Sequence, residues 1–319
     1  MNPLSIVTSS FIIGLCLPTI GAAQSASWTP PTLGYLFDAA SKSIRPLSGI
    51  PGAAGLEAGL AVPSKLERAS ISPNRKFALA EIKDGDHILL VTWAGTAAVV
   101  SELDGAPPSA EQIAFAASGS TAALWNRDIR KIQVWKGLPD QPSLYKEIDA
   151  AELTALGVSD DGDAVVAATT DAGLILAGAG KTLAAGSFSG LAFLPGTHDI
   201  AAGEQSLDQV LLIRKVDSDV DTVQLAGNQD GVSQPIAVAF SADSRRLIVA
   251  NLRGQSVLSI NLESRAVIAT PCDCEMEGLY RAQGNAVFRL TNGSQDSIAL
   301  FDGDSEEPRV LSIPAGASR

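Results

Sequence analysis

One pattern recurs six times along this chain: an apolar, alternating stretch enters a turn of Ser, Asp, Asn or Gly, and a second apolar stretch leaves it. The clearest copy is Val-Ala-Phe-Ser-Ala-Asp-Ser-Arg-Arg-Leu-Ile-Val-Ala-Asn, ending at Asn251; the others end at Ala80, Trp125, Ala167, Ala202 and Leu290. Aligned on the residue before the turn, the copies fall at Ile71, Phe115, Val158, Phe193, Phe240 and Tyr280, spaced by 44, 43, 35, 47 and 40 residues. A repeat of this length is one supersecondary unit that cannot bury its own faces and must stack on its neighbours. Alternation with period two makes the stretches strands, and the turn residues suit tight hairpins that need positive φ or local side-chain bonds. A second hairpin follows each copy, as in 87–93 with 96–102, or 297–302 with 308–313; third strands stand at 131–135, 209–214 and 256–261. No 3.6-residue periodicity is sustained.

These features predict an all-β fold, a β-propeller of four-stranded blades. Ala114, Ala116, Ala192, Ala237 and Ala239 crowd the first strand of the unit, which is expected to line a narrow central channel. The segment 33–47 is a further hairpin and reads as the outer strands of a seventh, incomplete blade. Seven blades leave about 42 residues for each and six about 49, so seven is preferred over six. Closing the ring removes exposed sheet edges.

The first 23 residues read as a secretory signal: an apolar run from Phe11 to Leu17, a breaker at Pro18, and small residues at Gly21, Ala22 and Ala23. Residues 24–319 then form a single propeller domain, placed in the periplasm or outside the cell, with no membrane span after cleavage. The net charge is −12 with an isoelectric point near 4.6. Such a surface repels phosphate backbones, which excludes nucleic acid as a partner. Beyond Cys16, inside the signal, the chain holds only Cys272 and Cys274, either as free thiols or as a local disulfide.

The stretch 238–270 resembles the YVTN-type repeat of bacterial surface and periplasmic propellers. Ile248, Val249, Ala250 and Asn251 occupy that family's Tyr-Val-Thr-Asn, and Gly254-Gln-Ser-Val-Leu-Ser-Ile-Asn resembles its third strand. Asn261-Leu-Glu-Ser-Arg265 departs from the family's usual turn. The resemblance implies fold and compartment, and fold alone does not decide function.

No catalytic set, cofactor motif or metal site is legible. Asp217, Asp219 and Asp221 alternate, but Thr222 and Asn228 stand where a calcium loop needs Gly and Glu. There is no Gly-x-Ser-x-Gly elbow and no phosphate loop, and the two histidines, His87 and His198, read as surface residues. Trp93, Trp125 and Trp135 read as packing between blades. What remains is the face where loops converge on the channel mouth. Its polar residues, Arg68, Gln112, Arg127, Glu204, Gln234, Asn251, Arg253 and Glu277, are the candidate ligand-binding set. The expected function is a non-enzymatic, monomeric binding scaffold for a protein or glycan. The alternative is a propeller lactonase-like hydrolase using carboxylates such as Glu204 and Glu277.

Overall fold

A computed structural model describes residues 30–83, 85–291 and 297–314; the signal assigned to 1–23 lies outside them. The described residues form seven antiparallel sheets in a ring, a seven-bladed propeller. Blade 1 has three strands, β1 (Thr32–Asp38), β2 (Ser43–Ile50) and β3 (Ala53–Leu56). The other blades have four, in sequence order. Blade 2 holds β4 (Leu66–Ile71), β5 (Phe77–Ile82), β6 (Leu89–Ala94) and β7 (Ala97–Glu102). Blade 3 holds β8 (Gln112–Phe115), β9 (Thr121–Asn126), β10 (Lys131–Lys136) and β11 (Ser143–Asp149). Blade 4 holds β12 (Ala155–Val158), β13 (Val165–Thr169), β14 (Gly173–Leu176) and β15 (Lys181–Ala184). Blade 5 holds β16 (Phe188–Phe193), β17 (Ile200–Glu204), β18 (Gln209–Arg214) and β19 (Asp221–Ala226). Blade 6 holds β20 (Pro235–Phe240), β21 (Arg246–Asn251), β22 (Ser256–Asn261) and β23 (Val267–Pro271). Blade 7 holds β24 (Tyr280–Arg281), β25 (Val287–Arg289), β26 (Ser297–Asp302) and β27 (Arg309–Pro314).

The repeated turn has a side-chain mechanism. Ser72, Ser159 and Ser241 accept the N–H five residues on, from Phe77, Ala164 and Arg246. Asn74, Asp161 and Asp243 take up the serine hydroxyl and the N–H of Lys76, Asp163 and Arg245. Blade 1 reaches the same turn from another sequence: Asp38 accepts the N–H groups of Ala40 and Ser41 and the Ser41 hydroxyl. This corrects the expectation for 33–47. β1 is an inner strand, with Tyr35 and Phe37 on the channel, as is Ala39 just beyond the strand, and among the described residues the blade has no fourth, outer strand. Serine holds this turn position only in blades 2, 4 and 6; Ala116, Leu194 and Ala282 hold it in blades 3, 5 and 7.

Apolar side chains fill the gaps between blades. Trp125 and Trp135 are both 2% exposed and belong to separate inter-blade clusters, while Trp93 meets Tyr35 in a tilted pair, 46° between ring planes and 4.5 Å between ring centres. Among the described residues, blades 7 and 1 exchange no strand. Leu33, Leu36 and Leu47 pack on Ala282, Val287, Ile298 and Leu300, and the Gln283 N–H donates to the Leu33 carbonyl. Arg75 of blade 2 also reaches blade 7, with Nη1 3.2 Å from the Ala282 carbonyl and Nη2 2.5 Å from Gln283 Oε1.

The inner strands approach closely where side chains are absent. A Cβ on Gly190 of β16 would lie 2.7 Å from the Ala237 Cα of β20. Gly190→Ala is therefore expected to push β16 and β20 apart and cost about 1–3 kcal/mol, read as a lower urea midpoint. Gly55→Ala in β3, where the added carbon meets nothing within 4 Å, serves as control.

His198 is not the solvent-facing turn residue anticipated. Its Nδ1 lies 2.6 Å from Asp217 Oδ2 and its Nε2 2.9 Å from Asp161 Oδ2, clamping blade 5 to blade 4, with 23% of the side chain exposed. Burial alone would lower the imidazole pKa, but hydrogen bonds and charge from the two carboxylates outweigh it and raise it. Burial likewise opposes ionisation of Asp161, yet hydrogen bonds from Ser159, the Asp163 N–H and His198 bring its pKa to about 2. A raised histidine pKa stabilises below its unfolded value and is lost as pH rises through the folded one. A lowered aspartate pKa stabilises above its unfolded value and is lost as pH falls through the folded one. The melting-temperature gap between the wild type and His198→Gln should thus be widest between about pH 4 and 6.5 and shrink on both sides. A gap independent of pH would show that the clamp works by packing alone.

Candidate functional site in the central channel

The channel is a cavity of about 620 Å³. Three successive residues of each inner strand of blades 2 to 6 line it, such as Ser70 between Ala69 and Ile71, or Ala239 between Val238 and Phe240. The register is regular. The middle residues Ser70, Ala114, Gly157, Ala192 and Ala239 are small, and they face Leu79, Ala123, Val166, Ala201 and Ile248 on the second strand. The next position carries Phe37, Ile71, Phe115, Val158, Phe193 and Phe240, an apolar belt around the lumen.

Blade 7 breaks this pattern. The Ala282 N–H donates to the Val287 carbonyl, closing the turn that the Ser72 N–H closes on Phe77. The belt position in blade 7 is therefore Arg281, paired with Phe288, and the sequence alignment on Tyr280 was one residue out. An aromatic ring looked like the expected anchor, while the true equivalent is charged. Tyr280 instead occupies the small-residue position and faces Arg289, where the other four-stranded blades carry aliphatic residues. Blade 1 pairs Leu36 with Arg45, but the charge there is met by Asp38 at 3.0 Å.

Arg289 is 6% exposed, and its guanidinium lies 4.1 Å from the centre of the Tyr280 ring, with Nη1 donating to the Thr291 carbonyl. Burial pulls its pKa down to about 10 despite the support of Tyr280 and the Glu277 carboxylate. Arg281 donates through Nη2 to the Phe240 carbonyl and sits over the Phe288 ring at 5.1 Å. Burial and the charge of Arg75 both lower its pKa. Its Nη1 is buried without a hydrogen-bond partner, a condition shared among the described residues only with Trp125 Nε1. Tyr280, Arg281, Phe288, Arg289 and Glu277 all line the channel.

Of the eight residues anticipated at the mouth, Arg68 and Glu277 line this cavity. Arg68 pairs with Glu81 at 2.7 Å and donates to the Ala110 carbonyl. Glu204 is fully buried and accepts the N–H groups of Ser187, Ser206 and Leu207 together with the Ser206 hydroxyl. Asn251, also fully buried, donates to the Gly231 carbonyl and accepts the Ser233 N–H. Asn126 staples the same position in blade 3, to the Ser109 carbonyl and the Ile129 N–H. The asparagine ending the YVTN-like motif thus ties its turn to the incoming loop. Gln112 donates to the Leu153 carbonyl of the next blade. Exposed Arg127 pairs with Glu152 at 2.6 Å, and Arg253 lies 3.5 Å from Asp208, which also accepts the Gln234 N–H. None of these six lines the channel.

Sequence reasoning missed Tyr280 as a channel side chain, and Arg281 and Arg289 altogether. The signal that could have found them is two arginines at apolar positions of one repeat copy. Among the described residues, no group of three His, Cys, Asp or Glu side chains is placed to hold a metal ion, and no helix is long and apolar enough to cross a membrane. Cys272 and Cys274 are joined in a disulfide beside buried Met276.

No family model matches the chain, and no curated protein does. Solved structures resemble it in fold. A functionally unknown protein from Desulfotomaculum acetoxidans superposes with a TM-score of 0.59 at 10% identity, over 88% of this chain and 94% of that one. A chain of hydrazine synthase from Kuenenia stuttgartiensis superposes with a TM-score of 0.54 at 12% identity, over 95% and 99%. At these identities the likeness extends to the propeller alone.

Proposed function

We propose that this protein is a non-enzymatic binding scaffold whose ligand lies in the central channel against blade 7. The observation that carries this reading is the local failure of the repeat. Five blades place small and aliphatic residues where blade 7 places Tyr280 and Arg289, and all the other blades place apolar residues where it has Arg281. Placing one buried and one half-buried guanidinium in an apolar wall opposes folding, and sequences keep such conflicts mainly where function needs them. An apolar cavity of this size with a few fixed polar groups is the usual form of a small-ligand site. The disulfide supports an exported protein, since such bonds persist in oxidising compartments.

The reading is tested by screening small molecules for a rise in melting temperature, in the wild type and in Ala239→Trp, which fills the lumen from β20. Compounds that stabilise only the open channel are the expected result. Equal shifts in both proteins, or none from any compound, would move the binding surface to the outer face of the ring.

A further inference from the structure

We infer that the ligand is an amphiphilic monoanion, its acidic head at Arg281 with Arg75 behind and its apolar body along the belt of Phe115, Phe193 and Phe240. This rests on the channel-binding reading above.

The charge pattern is the first ground. The chain carries a net −12, and Arg45, Arg68, Arg127, Arg214, Arg246, Arg253 and Arg309 each lie within 4.0 Å of a carboxylate. Arg75 and Arg281 have no such partner among the described residues, and unlike Arg130, Arg245 and Arg265, which also pair with no carboxylate there, they are not exposed. Their acceptors are the carbonyls of Ala282 and Phe240 and the amide of Gln283, and the charge of Arg75 is felt at Arg281. A guanidinium left without a carboxylate, and destabilised further by a second positive charge, favours an anion beside it.

The second ground is the unpartnered Nη1 of Arg281, a buried donor that an oxyanion would satisfy. A carboxylate or sulfonate matches the planar fork of arginine, which presents two parallel N–H groups. Because Nη1 is shielded from water, binding must turn the guanidinium toward the lumen. The head carries one charge because the Glu277 carboxylate shares the wall and would repel a second. The body is apolar because the belt offers it no polar partner.

The test is calorimetric titration of the full protein with octanoate, with 1-naphthoate, and with octan-1-ol as the neutral counterpart, against the wild type, Arg281→Gln, Arg281→Lys and Arg75→Gln. The wild type is expected to bind a carboxylate at least tenfold more tightly than the alcohol. Arg281→Gln should abolish that preference, Arg281→Lys restore it only in part, and Arg75→Gln weaken it. Octanoate and naphthoate distinguish a flexible acyl body from a flat aryl one. Should Arg281→Gln fail to fold, the wild type still decides: carboxylate affinity must fall with added salt while that of the alcohol does not. Equal binding of acid and alcohol, or a preference that survives Arg281→Gln, overturns the anionic head. Absence of binding by all three probes, alongside channel-dependent hits of other chemistry in the melting screen, overturns this inference and leaves the channel reading standing.

Discussion

Glu204→Ala is expected to destabilise the protein by about 3 kcal/mol or more, although the residue ends in a loop and reads from sequence as a ligand contact. The carboxylate is fully buried and holds three backbone N–H groups and a hydroxyl, so its removal strands several buried donors at once. Those donors join β17 to the turn before β18 and to the strand entry at Ser187, so the loss spreads through blade 5. Burial alone would raise the Glu204 pKa, but the Ser206 hydroxyl and the N–H groups of Ser187, Leu207 and Ser206 hold it below the usual glutamate value. The sign follows from linkage: the stabilisation is present above the unfolded pKa and is lost as pH falls through the folded one. Urea unfolding should show the full gap between wild type and variant at pH 7 and a narrower one below about pH 4. Glu204→Gln should fall between them, since its amide keeps one acceptor but turns an NH2 toward donors. Normal stability at pH 7 with lost ligand binding would return Glu204 to the binding set.

Arg289→Leu is expected to leave stability unchanged or raise it while removing ligand binding. The variant gives blade 7 the aliphatic residue that blades 2 to 6 carry at this register, as Leu79, Ala123, Val166, Ala201 or Ile248. Replacing a buried charge by a well-packed apolar side chain is often neutral or stabilising, by about 1–4 kcal/mol. The melting temperature and the shift produced by channel ligands report the two effects separately. A loss of more than about 2 kcal/mol would show that Arg289 is kept for the fold, through Tyr280 and the Thr291 carbonyl, and would remove a support of the binding site.

Much of the architecture was legible because propeller blades are local in sequence. Each four-stranded sheet is built from consecutive hairpins, so alternation and turn residues report it without long-range information. Blade 1 was legible as a blade but not in its orientation, because with three strands either end of the sheet could be the inner one. The candidate site was legible only in part. Arg68 and Glu277 were found because they lie where loops enter the inner strands. Glu204 and Asn251 instead end the second strands β17 and β21, and their buried side chains are consumed by backbone partners.

Sequence alone determined the blade, its period, the preferred count of seven and the acidity of the surface, since all of these follow from local pattern and composition. Tertiary structure decided which side chains meet. Arg75 and Arg281 are 206 residues apart in the chain, and the charge of one reaches the other only because the ring brings blade 7 round to blade 1, with Arg75 reaching across from blade 2. The one-residue register that puts Arg281 rather than Tyr280 in the apolar belt depends on which N–H closes the turn before β25. Strand pairing turns a shift of one residue into a change of face, and no local pattern in so degenerate a repeat fixes that choice.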